Sequence, residues 1–509
     1  MPPRQRNSGF SPAGLIVISF SDAKNGEKTC SLAGKHIHSA YNPSREAEQF
    51  VLHLNVPFNP AAVIIIEPAL SYCLPFLRKR FPDARLCAVR VTSDFSESDD
   101  KWDVCLYTKN DCGLGDQLFS ALGEETLCSA VFFSWTAAES VFPEDTKAVW
   151  QEIKSAVLKS RDVLATRSFF AKRWLKNTVK YCVQLKNPAL IKKGTCDIVV
   201  AASGPSLMTS IPRLKAFRDD FFLIAVSSAL LPLLAHHIRP DLVISTDGGY
   251  WAKKHLEANR FPAKDIPYAI AAEGSCPAEL LEHSIVVPLY YEDGLEKEFL
   301  ADCKIPAMSA QRNGTVSGTA AEFALSLTEG NIFFCGLDLA KTPAEQHCAP
   351  NALEQLKEIK DNRLNPKENR IAAAASGNEG ALAVYRNWFT AESYRLGKRL
   401  YRLSENHAYP TTLGKIQDIN WETFERIRHR ASKKPEIVRC EKKNGGYEEK
   451  LILRIRALEK TESFARELCP VETMLKKRAF SEDERRSYEA TIAEKTTAFA
   501  KELEKLIYG

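Results

Sequence analysis

Three side chains able to move a proton or steer a charge stand at comparable places in this chain: Asp247, Asp338 and His347. Asp247 closes the apolar run 242–245 and is followed by Gly248 and Gly249, which leave room beside its carboxylate. A carboxylate there can hold a sugar hydroxyl, orient a divalent cation such as magnesium, or act as a base; a turn aspartate fits the same spacing. Asp338 lies just past the apolar run 332–334, and His347 follows nine residues later in a polar stretch. A loop histidine at a ligand rim can serve as general acid or base or bind phosphate, and a plain surface histidine fits too.

The segment that has to position these groups begins at Asp197. Ile198 to Ala202 is a continuous apolar run that ends abruptly in Ser203-Gly204-Pro205-Ser206, so it reads as a buried strand, a glycine turn with exposed backbone, and a helix capped by Ser206. Such a junction aims backbone N–H groups and the positive end of a helix dipole at one point, which favours a phosphate or carboxylate there. A turn without a ligand satisfies the same four letters. A second junction, Asn313 to Ala321, is rich in glycine and hydroxyls and leads into a helix; Thr315, Ser317 and Thr319 offer donors, or act as ordinary caps. Neither matches a Walker loop or Gly-x-Gly-x-x-Gly.

Between and around these junctions, strand-like runs at 198–202, 222–226, 242–245, 268–272, 285–289 and 332–334 alternate with helix-like segments. That alternation argues for an α/β fold with a central doubly wound, mostly parallel sheet, in which ligands bind at the carboxyl ends of the strands. The residues to inspect are therefore 203–206, Ser227 and Ser228, 246–249, 273–275 and 336–338. An N-terminal α/β domain is expected over 1–140, with strands at 61–67, 86–91, 104–107 and 129–135 and a helix at 72–81. A further helix should start at Pro43 behind an Asn42 cap, with Glu46 in its first turn and Arg45 free to point into a cleft.

Residues 141–194 read as a helical connector with a basic face, and 195–350 as the central domain. Residues 351–440 read as a loop and helical region completing the site, with helices at 388–403 and 421–437 and a mobile-looking covering loop around 377–380. The charged, periodic helices of 441–509 read as an appendage for oligomerisation or partner binding.

Composition narrows the function classes. Of 509 residues 45% are hydrophobic, and 69 basic side chains stand against 64 acidic ones, a net charge of +5 that by itself implies neither a nucleic-acid nor a membrane partner. The 14 cysteines include no Cys-x-x-Cys pair, and Cys87, Cys105, Cys128, Cys196 and Cys335 sit in apolar runs, as small hydrophobes do in a reducing compartment, so a cytoplasmic location is expected. The basic residues 1–7 and the apolar run 15–18 are too short for a signal-peptide core, and no stretch approaches the ~20 apolar residues of a membrane span.

Taken in order, Ser203 to Leu207, Ile224 to Ala229, Ile238 to Asp247, Gly314 to Ala320 and Cys335 to Ala340 with His347 resemble the motility accessory factor (Maf) family of bacterial flagellin glycosyltransferases. That family shares its central domain with MptE-like 6-hydroxymethylpterin diphosphokinases. Asn42 to Glu48, Asn387 to Phe389 and Leu403 to Asn406 add to the likeness, which covers most of residues 36–420. The resemblance implies transfer of a nonulosonic, sialic-like sugar from its CMP-activated form to Ser or Thr of flagellin in the cytoplasm. A pterin diphosphokinase using ATP and magnesium and a non-enzymatic flagellin-binding accessory protein are the alternatives.

The resemblance also implies a nucleotide-binding turn at Ser203, Gly204, Pro205, Ser206 and Leu207, and places Asp247, Asp338 and His347 at catalytic positions, Asp247 with a metal role open to it. A helix N-terminus contributes at most ~2 kcal/mol toward an anion, whereas micromolar binding needs about 8 kcal/mol. Ser227, Ser228, Thr315, Ser317 and Thr319 are the expected remaining contributors.

Overall fold

The computed structural model describes residues 18–109, 113–257, 265–340, 345–376, 380–403, 412–429, 433–441 and 447–508. Residues 1–7, most of the run 15–18, residues 377–379 of the expected covering loop, and Ser404 to Asn406 lie outside the described residues. The chain divides into two compact units, residues 1–167 with 470–491, and residues 168–469 with 492–509.

The first unit holds a four-stranded parallel sheet in the order Val104–Tyr107, Arg85–Arg90, Ala62–Ile66, Ala130–Ser134. Its central strand, Ala-Val-Ile-Ile-Ile, is wholly buried, as a parallel strand covered on both faces must be. The helix Pro43–Leu52 begins as its residues dictate: Asn42 accepts the Arg45 N–H through its side chain, Pro43 takes the first turn, and Glu46 accepts the Ser39 N–H. A three-stranded antiparallel sheet, Ser19–Asp22, Lys28–Leu32 and Lys35–His36, precedes it. The long helix Pro143–Gln184 spans the segment read as a helical connector.

The second unit is built on a nine-stranded sheet. Its strands are β1 (Ile198–Ala201), β2 (Phe222–Val226), β3 (Leu242–Ser245), β4 (Tyr268–Ala271), β5 (Val286–Tyr291), β6 (Met308–Ala310), β7 (Ile332–Cys335), β8 (Leu400–Leu403) and β9 (Gln417–Ile419). The order is β6-β5-β4-β3-β2-β1-β7-β8-β9 and every pairing is parallel. The fold is therefore doubly wound α/β, and its order reverses between β1 and β7. Ile244, Ala269, Ala271 and Val287 pack with Leu207, Leu214, Phe323 and Phe389, while Val243, Tyr268, Ile270 and Val286 pack with Val179, Phe299 and the C-terminal helices. Side chains that alternate along each strand thus feed cores on opposite faces.

Two sequence expectations are corrected here. The helix read at 388–403 ends at Ala391; after a short turn Ser393–Leu396, Gly397 passes close to the Lys415 carbonyl and the chain continues as β8. Arg402 is fully buried in β8 because Asp418 of β9 meets its guanidinium as a fork, at 2.6 and 2.8 Å. The helix read at 421–437 stops at Ile427, and Glu436–Arg439 pairs antiparallel with Ala189–Lys192. The break comes at Arg428, whose backbone is extended. The polar stretch after residue 350 carries the helices Ala352–Glu358, capped by Asn351, and Lys367–Ser376.

The C-terminal helices bury their apolar seams within the chain. Leu451, Ile455, Phe464, Phe499 and Leu503 belong to the same core as Ile270 and Val286 of the sheet, so the periodicity read as an appendage for partners is used internally. Phe464→Ala should therefore destabilise the second unit by about 3–5 kcal/mol, measured by chemical denaturation. An unchanged midpoint would show that these helices are not part of its core.

Candidate functional site

The site is set by the crossing of backbone at the ends of β1 and β7. The Ala202 N–H donates to the Cys335 carbonyl and the Gly204 N–H to the Gly336 carbonyl, both at 2.8 Å. A side chain on Gly336, whose φ is +70°, would lie 2.3 Å from the Ala202 oxygen. One on Gly204 would lie 2.4 Å from an Asp338 oxygen. Both glycines are needed for this approach.

Into the same corner comes the Asp338 carboxylate. Its Oδ2 accepts the Ser206 N–H at 2.9 Å, and its Oδ1 accepts the Ser206 hydroxyl. The anion at the start of helix Leu207–Ala216 is thus the chain's own. Charge-assisted bonds of this kind contribute about 1.5–3 kcal/mol each. Two expectations change with it: Ser206 makes no side-chain cap to its helix, because its hydroxyl goes to Asp338, and the Gly204 backbone is engaged rather than exposed.

Next to this clamp, hydroxyls and a histidine gather. Ser228 Oγ donates to Ser203 Oγ at 2.8 Å, the Ser203 carbonyl accepts the Cys348 N–H at 2.8 Å, and Asn351 Nδ2 donates to the Ser228 carbonyl at 3.2 Å. These bonds bring residues 347–351 to the ends of β1 and β2. His347 Nδ1 lies 3.2 Å from Glu354 Oε1. Burial alone would raise the Glu354 carboxyl, but the His347 hydrogen bond and the charge of Lys357 hold it below its usual value. With Glu354 accepting from Nδ1, Nε2 of His347 carries the lone pair, the tautomer suited to accept a proton. The His255 ring stands 6.4 Å from His347, and burial, helped by His347, pushes its pKa down to about 4.

The ends of β3 to β6 form a second, charged half. Asp247 is exposed and accepts the Gly249 N–H at 2.8 Å, and its carbonyl accepts the Ser275 N–H. Tyr385, whose pKa is raised by burial and by the Asp247 charge, brings helix Ala381–Ala391 to this carboxylate. Gly248 is in van der Waals contact with Trp174, since a side chain there would meet the indole at 2.5 Å. Trp174 and Tyr291 flank the Arg312 guanidinium at 5.0 and 4.5 Å, and Arg312 Nη1 donates to Glu273 Oε1 at 2.8 Å. Burial pushes the Glu273 carboxyl well up, with Arg312 opposing.

The structure therefore groups Ser203, Ser228 and His347, locks Ser206 to Asp338, ties the Gly204 N–H to Gly336, and leaves the Pro205 carbonyl accepting the Met208 N–H. Leu207 is a core residue, Ser227 is buried, and the Thr319 hydroxyl is buried and donates to the Gln311 carbonyl. Thr315 precedes helix Val316–Leu327 without capping it, and Ser317 lies half-buried in its first turn. Glu354, Asn351, Arg312, Trp174 and Tyr385 were not legible as site residues. Arg312 follows a strand of three residues, and Glu354 lies within a short polar helix; neither element was readable from the sequence. Among the described residues no group of three or more His, Cys, Asp or Glu side chains is arranged to hold a metal, and every described cysteine is a free thiol. A groove of about 440 Å³ lined by Glu139, Trp150 and Lys154 lies in the first unit and holds none of these residues. No helix among the described residues is long and apolar enough to cross a membrane.

A doubly wound parallel sheet with polar groups at its switch point defines the class: an α/β fold of the kind whose ligands bind at the carboxyl ends of the strands. More particularly, residues 172–343 are similar to the family described as 6-hydroxymethylpterin diphosphokinase MptE-like. Over 97% of its length the chain shares the fold of a Maf glycosyltransferase from Magnetospirillum magneticum AMB-1, with a TM-score of 0.54, 14% identity and 92% of that chain covered. It is also 31% identical over 310 residues to an uncharacterized protein of Treponema pallidum (strain Nichols), a match spanning 60% of this chain and 66% of that relative.

Two outcomes follow from the geometry. Gly204→Ala should lower stability by about 1–3 kcal/mol through overpacking against Asp338, and Asp338→Ala in the same background should recover part of that loss in thermal melts. Because His255 is held below its unfolded value, its contribution is present above pH ~6.5 and is lost as pH falls toward about 4. His255→Phe should flatten that acid limb by about 2 kcal/mol between pH 7 and 4, read from denaturation midpoints across pH.

Proposed function

We propose that this protein is a glycosyltransferase that moves a nonulosonic, sialic-like sugar from a CMP-activated donor to Ser or Thr hydroxyls of flagellin in the cytoplasm. The observation that carries the reading is the fold shared with a Maf glycosyltransferase over nearly the whole of both chains. It is joined by a crevice whose polar groups suit the reaction. In the transfer, the acceptor oxygen attacks the anomeric carbon, the bond from that carbon to the phosphate oxygen breaks, and the electron pair leaves with CMP. The hydroxyl proton goes to His347 Nε2, with Glu354 holding the ring and stabilising the imidazolium. Ser203, Ser228, Thr315 and Ser317 supply neutral donors for the nucleotide, and Asp247 orients the donor or acceptor through hydroxyl contacts.

A second reading, diphosphate transfer from ATP to a hydroxymethylpterin, is favoured by the MptE-like match over residues 172–343. Calorimetry separates the two: the first expects CMP binding, the second ATP binding with magnesium. The decisive assay incubates the protein with flagellin and CMP-activated sugars and reads the intact mass of flagellin. No added mass with any donor would leave only the diphosphokinase or a non-enzymatic flagellin-binding role. His347→Gln should slow transfer about 10²–10⁴-fold while leaving CMP affinity within a fewfold of the parent.

A further inference from the structure

The stretch just past β6 carries buried donors that have no hydrogen-bond partner among the described residues. Arg312 is wedged between Trp174 and Tyr291, with its side chain 26% exposed. Only Nη1 has a hydrogen-bonded carboxylate, that of Glu273; Nε is buried without a hydrogen-bond partner, the Asp293 oxygen standing 3.8 Å away. The amide nitrogen of the next residue, Asn313 Nδ2, is also buried without a partner, as is the hydroxyl of Ser245 at the end of β3. A buried donor left unmade is costly, so orphan donors on two successive residues just past β6 are what a ligand acceptor would complete.

We propose that Arg312 and Asn313 form an oxyanion subsite that binds a carboxylate or phosphate of the ligand, with Glu273 as the internal partner that the ligand displaces from the guanidinium. The guanidinium is planar and flanked by aromatic rings, its side chain is partly exposed, and the Nη1 group now held by Glu273 is the one an incoming oxyanion would take over. The carboxyls facing it are Glu273, Asp293, Glu296 and Glu467. Burial pushes the Glu273 and Glu296 carboxyls up, and the Arg312 charge opposes this in both.

This rests on the glycosyltransferase reading, in which the donor carries both anions, a phosphate and a sugar carboxylate. The test titrates the full chain by calorimetry with CMP, free N-acetylneuraminate, their CMP conjugate, and ATP. Arg312→Gln should weaken at least one probe tenfold or more, and Arg312→Lys should recover only part of that. Weakening of CMP assigns the phosphate; weakening of the free sugar acid and the conjugate alone assigns the carboxylate.

Glu273→Gln keeps a hydrogen-bond acceptor for Arg312 but removes the competing charge, and should tighten the same probe severalfold. A purely structural pair would weaken binding in both variants, which overturns the subsite. Unchanged affinity in Arg312→Gln overturns it too, while leaving the glycosyltransferase reading in place. If the parent binds ATP but none of the CMP probes, and Arg312→Gln weakens ATP, the glycosyltransferase reading falls and the subsite stands. No binding of any probe removes both.

Discussion

The carboxylate of Asp338, held against the amide of Ser206 just ahead of helix Leu207–Ala216, is the contact on which the carboxyl edge of the central sheet depends. It joins the ends of β1 and β7, the two strands between which the sheet reverses its order, although they are more than a hundred residues apart in sequence. The contact exists only because Gly204 and Gly336 let two backbones touch. It also fills, from within, the place where helix dipole and free N–H groups would draw an external anion.

The opposite end of the same strand pair is pinned in the same manner. Asp197, fully buried ahead of β1, accepts the Asn331 N–H at 2.8 Å and the His429 N–H and Nδ1 at 2.7 Å each. Each end of β1 is thus tied to the β7 side of the sheet by a carboxylate that accepts backbone N–H groups. A buried charge is tolerable only with such partners, and losing one partner leaves the charge uncompensated. This is a stiff frame, and stiffness where the strands end keeps loops from four or five strands in register with one another.

Much of this frame was legible in the residues. Every central strand predicted between 198 and 334 is present, because parallel strands buried on both faces must be continuously apolar and leave a strong signal. The Asn42 cap and the long helix after Pro143 were legible for equally local reasons. What escaped was decided by partners distant in sequence. Leu400-Tyr-Arg-Leu403 carries a buried arginine that makes sense only beside Asp418, and Met308–Ala310 is three residues long. Of the expected site residues, Ser203, Ser228 and His347 converge, but Leu207 and Thr319 serve packing. Spacing shows which residues lie near a strand end; it does not show which of them another part of the chain has already engaged. The Ser206 hydroxyl is the clearest instance, a cap by sequence and a carboxylate donor in the fold.

The division of polar groups along the sheet edge bears on what the crevice holds. At β1, β2 and β7 the groups beside the clamp are hydroxyls, an amide and a histidine oriented by Glu354. At β3 to β6 they are charges set among aromatic rings, with Arg312 between Trp174 and Tyr291 and Asp247 near Tyr385. Neutral donors with a proton acceptor suit a reacting centre whose charge changes during the step, because they stabilise it without holding a permanent counter-ion. A fixed guanidinium suits a charge that is constant throughout, and such binding lowers ground state and transition state alike. On the glycosyltransferase reading, then, the histidine side is where the bond changes hands, and the arginine side is where the donor is held while it does.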